Sequence, residues 1–121
     1  KYIFNKLSDS GVPRIYYPLG AWHCKHLYNE IPMEVLGLDW RISIDEGYEA
    51  LGNHCKTIQG NLDPTILYTQ PPIITNAVEI LLKQVDKRPH IFNLGHGLQP
   101  DMPYENIQHL IKEVKRISVR S

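Results

Sequence analysis

The sequence predicts an α/β protein built on a parallel sheet, and three observations carry that prediction. Short apolar, β-prone runs alternate with stretches of helical periodicity, and the runs begin roughly 20 to 35 residues apart, as successive strand-helix units do. The runs are nearly continuous in apolar residues rather than strictly alternating, which is how strands covered on both faces read. Each run closes on glycine or a polar residue: Gly20, Asp39, Gly60-Asn61 with Asp63, and Gly95-His96-Gly97. Parallel strands bring such ends to one side of the sheet, where α/β proteins place their chemistry.

Taken in order, Tyr2, Ile3, Phe4 and Leu7 mark an opening helix, which Gly11-Val12-Pro13 ends. A chain that opens on Lys1 inside a helix leads us to expect a natural start further upstream, with trimming as the alternative. Arg14-Ile15-Tyr16-Tyr17 is the first strand; its two tyrosines should face opposite ways. Ala21 to Glu30 reads as a weak helix with Trp22, Leu27 and Tyr28 inward. The second strand runs from Met33 to Leu38 and delivers Asp39-Trp40. Ser43-Ile44-Asp45-Glu46 has the capping-box pattern, and the helix it starts should end at Leu51, with Gly52 in the left-handed conformation.

The third strand, Lys56 to Gln59, is expected to break at Gly60, with Asn61-Leu62-Asp63-Pro64 beyond it and a turn or short helix over residues 65–69. After Pro71-Pro72, Ile74, Ala77, Val78, Leu81 and Leu82 recur at helical spacing. His90-Ile91-Phe92-Asn93-Leu94 is the fourth strand. In the last helix Pro103 is expected at the first position, Glu105 in the first turn, and Lys112, Lys115 and Arg116 toward the far end, matching the helix dipole. Ile107, Leu110, Ile111, Val114 and Ile117 should line its inner face. Four such units fit either a small open sheet or half of an eight-stranded barrel, and the pattern alone leaves both open.

Composition narrows the function. The chain has 121 residues, 42% of them hydrophobic and 21% charged, enough to pack one core and too short for two ordinary domains. Lysine plus arginine balances aspartate plus glutamate at 13 each, without the basic field expected of a nucleic-acid binder. A neutral chain still accommodates an anionic small substrate, because a cleft can concentrate arginines. Two cysteines are too few for a disulfide scaffold, and the apolar runs are too short to cross a bilayer, so the expected setting is a reducing, cytoplasmic one without membrane contact.

Among the motifs, Gly95-x-Gly97 lacks the third glycine of a dinucleotide loop, since Pro100 stands there. His23, Cys24 and His26, and separately His54-Cys55, match no zinc spacing, and no metal is expected. His96 is the sharpest candidate: an imidazole between two glycines at a strand end lets a substrate approach closely, although it could simply bond a neighbouring loop. Asp39 and Asp63 could receive N–H groups of a ligand or cap the helices that follow them. Arg41 could pair with a substrate carboxylate or lie exposed at a helix entry, and Trp40 reads as packing.

Three segments then carry a resemblance in order: Gly37-Leu38-Asp39-Trp40-Arg41, Gln59-Gly60-Asn61-Leu62-Asp63-Pro64, and Phe92-Asn93-Leu94-Gly95-His96-Gly97 followed by Pro100 and Pro103-x-Glu105-Asn106-Ile107. From Gly11 onward the chain resembles the last strand-loop units of the uroporphyrinogen decarboxylase family. The resemblance implies a (β/α)8 TIM barrel of which residues 1–121 are the C-terminal half, strands 5 to 8 with their helices, needing an N-terminal half that carries other catalytic residues. It implies a homodimer when complete, and cofactor-independent removal of the four acetate carboxyl groups of uroporphyrinogen III to give coproporphyrinogen III. His96 carries over as the catalytic candidate, and His96, Asp39, Arg41, Asn61 and Gly95 as the expected substrate-binding residues. An inactive, self-associating half-barrel is the alternative.

A related branch, the corrinoid-linked methyltransferases, is similar in fold but holds zinc through histidine and cysteine near the ends of strands five and eight. The corresponding places here read Pro18-Leu19-Gly20 and Gly95-His96-Gly97, without cysteine. Two positions depart from the decarboxylase pattern: no lysine precedes Gly20, and Met102 stands where a capping threonine or aspartate is usual, leaving Asp101 as a possible substitute cap.

Overall fold

The computed structural model describes residues 1–52 and 56–119. Four strands, β1 (Ile15–Tyr16), β2 (Val35–Gly37), β3 (Thr57–Leu62) and β4 (His90–Leu94), form one sheet in chain order with every pairing parallel. The expected α/β class and parallel sheet are therefore present. Helices α1 (Tyr2–Lys6), α2 (Ile44–Leu51), α3 (Pro71–Val85) and α4 (Tyr104–Ser118) alternate with the strands, together with 3₁₀ helices at Ser8–Ser10, Trp22–Glu30 and Pro64–Tyr68. Leu36 pairs with Ile58 and Ile58 with His90 across the sheet, while Leu62 pairs with Leu94 at its C-terminal edge.

The core lies between the sheet and the helices. Leu36 and Ile58 from the strands, Ile44 and Leu51 from α2, and Ile74 and Val78 from α3 are all at most 1% exposed. Each such side chain contributes on the order of 1.5–3 kcal/mol through removal from water. The opposite sheet face is open along β4, where Ile91 and Asn93 are exposed while His90, Phe92 and Leu94 are half-buried, whereas β2 is buried throughout. Alternation of that kind belongs to a sheet covered on one side, whereas parallel strands are ordinarily covered on both.

The α2 start follows the sequence reading. The Ser43 hydroxyl accepts from the Glu46 amide at 3.2 Å, and the Ser43 amide donates back to the Glu46 carboxylate at 3.0 Å. Elsewhere the elements differ from expectation for identifiable reasons. The 21–30 stretch is 3₁₀, not α, and its three-residue repeat aligns Trp22, Lys25 and Tyr28, so Tyr28 is 2% exposed and Leu27 is turned outward. Gly52 has positive φ (57°) but ψ of −145°, outside the left-handed helical region.

Gly60 does not end the third strand, which continues to Leu62 and so takes in Asn61. A side chain at Gly60 would stand 2.9 Å from the Leu38 carbonyl oxygen, and φ is +135°; glycine here admits a close approach of β3 to the chain leaving β2. Pro103 occupies the N-cap of α4 rather than its first turn, without a side-chain cap, and Asp101 accepts from the Tyr68 hydroxyl instead of capping. Ile111 is half exposed, beside Phe92, Leu98 and Ile107 on a flank of α4 that no described element covers. Within the stripe expected to be apolar, Glu113 is buried and paired with Arg116.

Candidate active site

The strand ends converge. Asp39, two residues beyond β2, is 6% exposed, and its carboxylate accepts three bonds from Arg41: from the backbone amide at 2.8 Å, from Nε at 3.2 Å and from Nη2 at 2.7 Å. Those Arg41 bonds hold the Asp39 carboxyl below the usual carboxylate range against the opposing effect of burial, and Asp39 in turn raises the guanidinium. Nε and Nη2 are thus committed, while Nη1 makes no bond to any described residue.

The Arg41 guanidinium lies over the Trp40 ring, 5.0 Å from its centroid, and the other contact of Trp40 is His96, edge-on at 5.7 Å with the planes at 90°. Gly95 brings His96 there. A side chain at Gly95 would stand 2.3 Å from the Trp40 backbone nitrogen, so the β4 end can meet the β2 end only with glycine at that position. The Gly95 amide donates to the Leu62 carbonyl at 2.7 Å, and its carbonyl accepts from the Tyr17 hydroxyl at 2.6 Å. Burial raises the Tyr17 pKa, and the Asp39 charge adds to that rise. Tyr17, Gly37, Gln59, Asn93 and His96 help to line a cavity of about 340 Å³ at this end of the open sheet face.

Asp39, Arg41, Gly95 and His96 are thus brought together, with Trp40 as the link. Asn61 adjoins them differently: its amide nitrogen donates to the carbonyl of Asp39 at 3.0 Å and to that of Ile42, which fastens the chain after β2. Asp63 accepts from the Thr65 amide at 2.9 Å and hydroxyl at 2.7 Å as cap of the Pro64–Tyr68 helix, and lines a second cavity together with Trp40, Arg41 and Asn61. Of the alternating tyrosines, Tyr16 meets Phe4 and Tyr28 among the helices, and Tyr17 belongs to the site. Sequence reasoning gave Tyr17 no role. The only signal available was its place at the last β-prone position before Pro18-Leu19-Gly20. Cys24 is a free, half-buried thiol, and among the described residues no three His, Cys, Asp or Glu side chains gather as metal ligands. The His54-Cys55 pair lies outside the described residues.

The sheet and its gathered strand ends define the class: an α/β chain of the kind that carries a site beyond the carboxyl ends of parallel strands. In fold it is similar to a methyltransferase from Methanosarcina mazei, with a TM-score of 0.75 at 18% identity over 96% of this chain and 34% of that one. The family model for uroporphyrinogen decarboxylase (URO-D) matches residues 1–117, and the chain belongs to that family. It is 40% identical over 119 residues to the uroporphyrinogen decarboxylase of Carboxydothermus hydrogenoformans, a match over 98% of this chain and 34% of that protein. Against the enzyme of the same name from Koribacter versatilis it is 44% identical over 108 residues, covering 88% and 30%. The chain therefore spans about a third of the length of the curated relatives it matches. No described helix is long and apolar enough to cross a membrane.

Proposed function

We propose that this chain supplies one part of the active site of a uroporphyrinogen decarboxylase, as strands 5 to 8 of a (β/α)8 barrel whose remaining strands cover its open sheet face. The observation that carries the reading is the cluster at the strand ends: His96 against Trp40, Trp40 against the Arg41–Asp39 pair, and Tyr17 bonded to Gly95, with Tyr17, Gly95 and His96 lining one cavity. The substrate is an anionic tetrapyrrole, uroporphyrinogen III. In the reaction a proton adds to a pyrrole ring carbon, and the bond from the acetate methylene to its carboxylate breaks. The electron pair flows into the cationic ring as carbon dioxide leaves, and a second proton converts the methylene to methyl as the ring carbon gives up the first. The ring itself is the electron sink, so the reaction proceeds without a cofactor.

The protein's task is then to bind carboxylates and to place charge. Arg41 keeps Nε and Nη2 on Asp39 and offers Nη1 to a substrate carboxylate. His96, exposed at the cavity mouth, contacts or orients a carboxylate rather than acting as the sole proton donor. Gly95 permits the approach and Asn61 holds the Asp39 loop in place. The methyltransferase likeness supports the fold alone, and the absence of cysteine from Pro18-Leu19-Gly20 and Gly95-His96-Gly97 favours decarboxylation over zinc-dependent methyl transfer. The complete enzyme is read as a cytoplasmic homodimer.

The test is complementation. The chain should not turn over uroporphyrinogen alone, but should do so when co-purified with the N-terminal two-thirds of the Carboxydothermus relative, with His96→Asn slowing release of carbon dioxide. Full decarboxylation by the isolated chain would overturn the partial-site reading, and unchanged turnover by His96→Asn would overturn the role of the histidine.

A further inference from the structure

The loop that carries His96 is tied down at both ends, and its far end is held from outside the cavity. At the near end Gly95 is fixed by Leu62 and Tyr17. At the far end Asn106, in the first turn of α4, donates its two side-chain amide hydrogens to the carbonyls of Leu67 (2.8 Å) and Thr69 (2.9 Å). Both acceptors lie at the closing end of the Pro64–Tyr68 helix, the element that follows β3. Alongside, the Tyr68 hydroxyl donates to the Asp101 carboxylate, and Met102 is 7% exposed beneath the same turn. The segment from Gly95 to Met102 is thereby stretched between β3 and the helix that follows it, with His96 one residue past the first anchor.

We infer that Asn106, assisted by the Tyr68–Asp101 bond, is a positioning residue: it sets the place of the His96 imidazole against Trp40 by clamping the β4–α4 loop onto the Pro64–Tyr68 helix. Its importance for catalysis rests on the decarboxylase reading, but the contact itself does not. The geometry distinguishes a clamp from mere satisfaction of two carbonyls. Those carbonyls could be served by water; the Asn106 pair and the Tyr68–Asp101 bond are the side-chain hydrogen bonds that join this end of the loop to the Pro64–Tyr68 helix among the described residues, while His109 ties the next turn of α4 to Pro71 and Thr75.

The experiment uses the full chain carrying Trp22→Phe, so that Trp40 is the only indole. A protonated imidazole quenches an indole it touches, and histidine is the side chain that ordinarily changes charge between roughly pH 5 and 8. The other charged groups at Trp40, Asp39 and Arg41, stay ionised there, because their mutual bonds lower one pKa and raise the other. The fluorescence step over this range should vanish in His96→Gln, which assigns it. It should also vanish in Asn106→Ala and shrink in Tyr68→Phe, with far-ultraviolet circular dichroism unchanged. An undiminished step in a folded Asn106→Ala overturns the inference. Should that variant fail to fold, Tyr68→Phe decides, and an unaltered step there overturns it equally. No turnover is read, so failure here leaves the decarboxylase proposal standing, and failure of complementation leaves the clamp standing.

Discussion

At the scale of single residues, the two glycines flanking His96 do different work. Gly95 is buried with the Trp40 backbone against the position of a side chain, while nothing lies within 4 Å of that position at Gly97. Backbone cannot give way as the end of a flexible side chain can. Gly95→Ala should therefore cost at least about 1–3 kcal/mol, the usual penalty of overpacking, and part Trp40 from His96. Gly97→Ala should leave stability nearly unchanged, and urea denaturation of the two variants checks the contrast. The sequence marked both glycines as backbone freedom around a histidine; which one is a contact could not be read there, because the contact lies with the end of another strand.

At the scale of elements, capping is where local sequence acts most directly. The Ser43–Glu46 box is closed in both directions, so Ser43→Ala should destabilise by about 1 kcal/mol, and Glu46→Gln, whose amide oxygen can still accept from the Ser43 amide, should lose less. Chemical denaturation of both variants tests the order. The 21–30 segment shows the opposite case. Its helical character was legible, but the choice of 3₁₀ over α, and hence which residues turn inward, was made by Tyr28 packing against Tyr16 and Trp22. Similarly, β3 outlasts Gly60 because its ladder with β4 continues through Asn61 and Leu62, a partner that composition around the glycine does not reveal.

At the scale of the whole molecule, one ion pair joins separate elements and another lies within a single helix that packs on its neighbour. Glu34, just before β2, binds Arg14, just before β1, and Glu113 binds Arg116 in the α3–α4 layer near Thr75 and His109. Their arginine partners draw both carboxyls down from the ordinary 4.5 to about 2. A depressed carboxyl stabilises the fold above its unfolded pKa and loses that contribution as pH falls through its folded value. The urea midpoint should accordingly hold steady down to about pH 4.5 and then drop toward pH 2. The drop should be shallower in Glu34→Gln and Glu113→Gln, and since the Glu34 pair is partly solvated its share should be the smaller under salt.

What the sequence determined by itself was the order and kind of the elements, the parallel sheet, the family, and the list of residues at the strand ends. All of these depend on local periodicity, punctuation and motif order, which are written along the chain. Tertiary structure alone decided that Trp40 meets His96, that Asn61 fastens the chain after β2, that Tyr17 enters the site and that one sheet face stands open. Each of those depends on groups up to 78 residues apart in sequence meeting in space, as the Tyr17 hydroxyl meets the Gly95 carbonyl. Such distances are set by how strands and helices pack, not by any neighbour a local pattern contains.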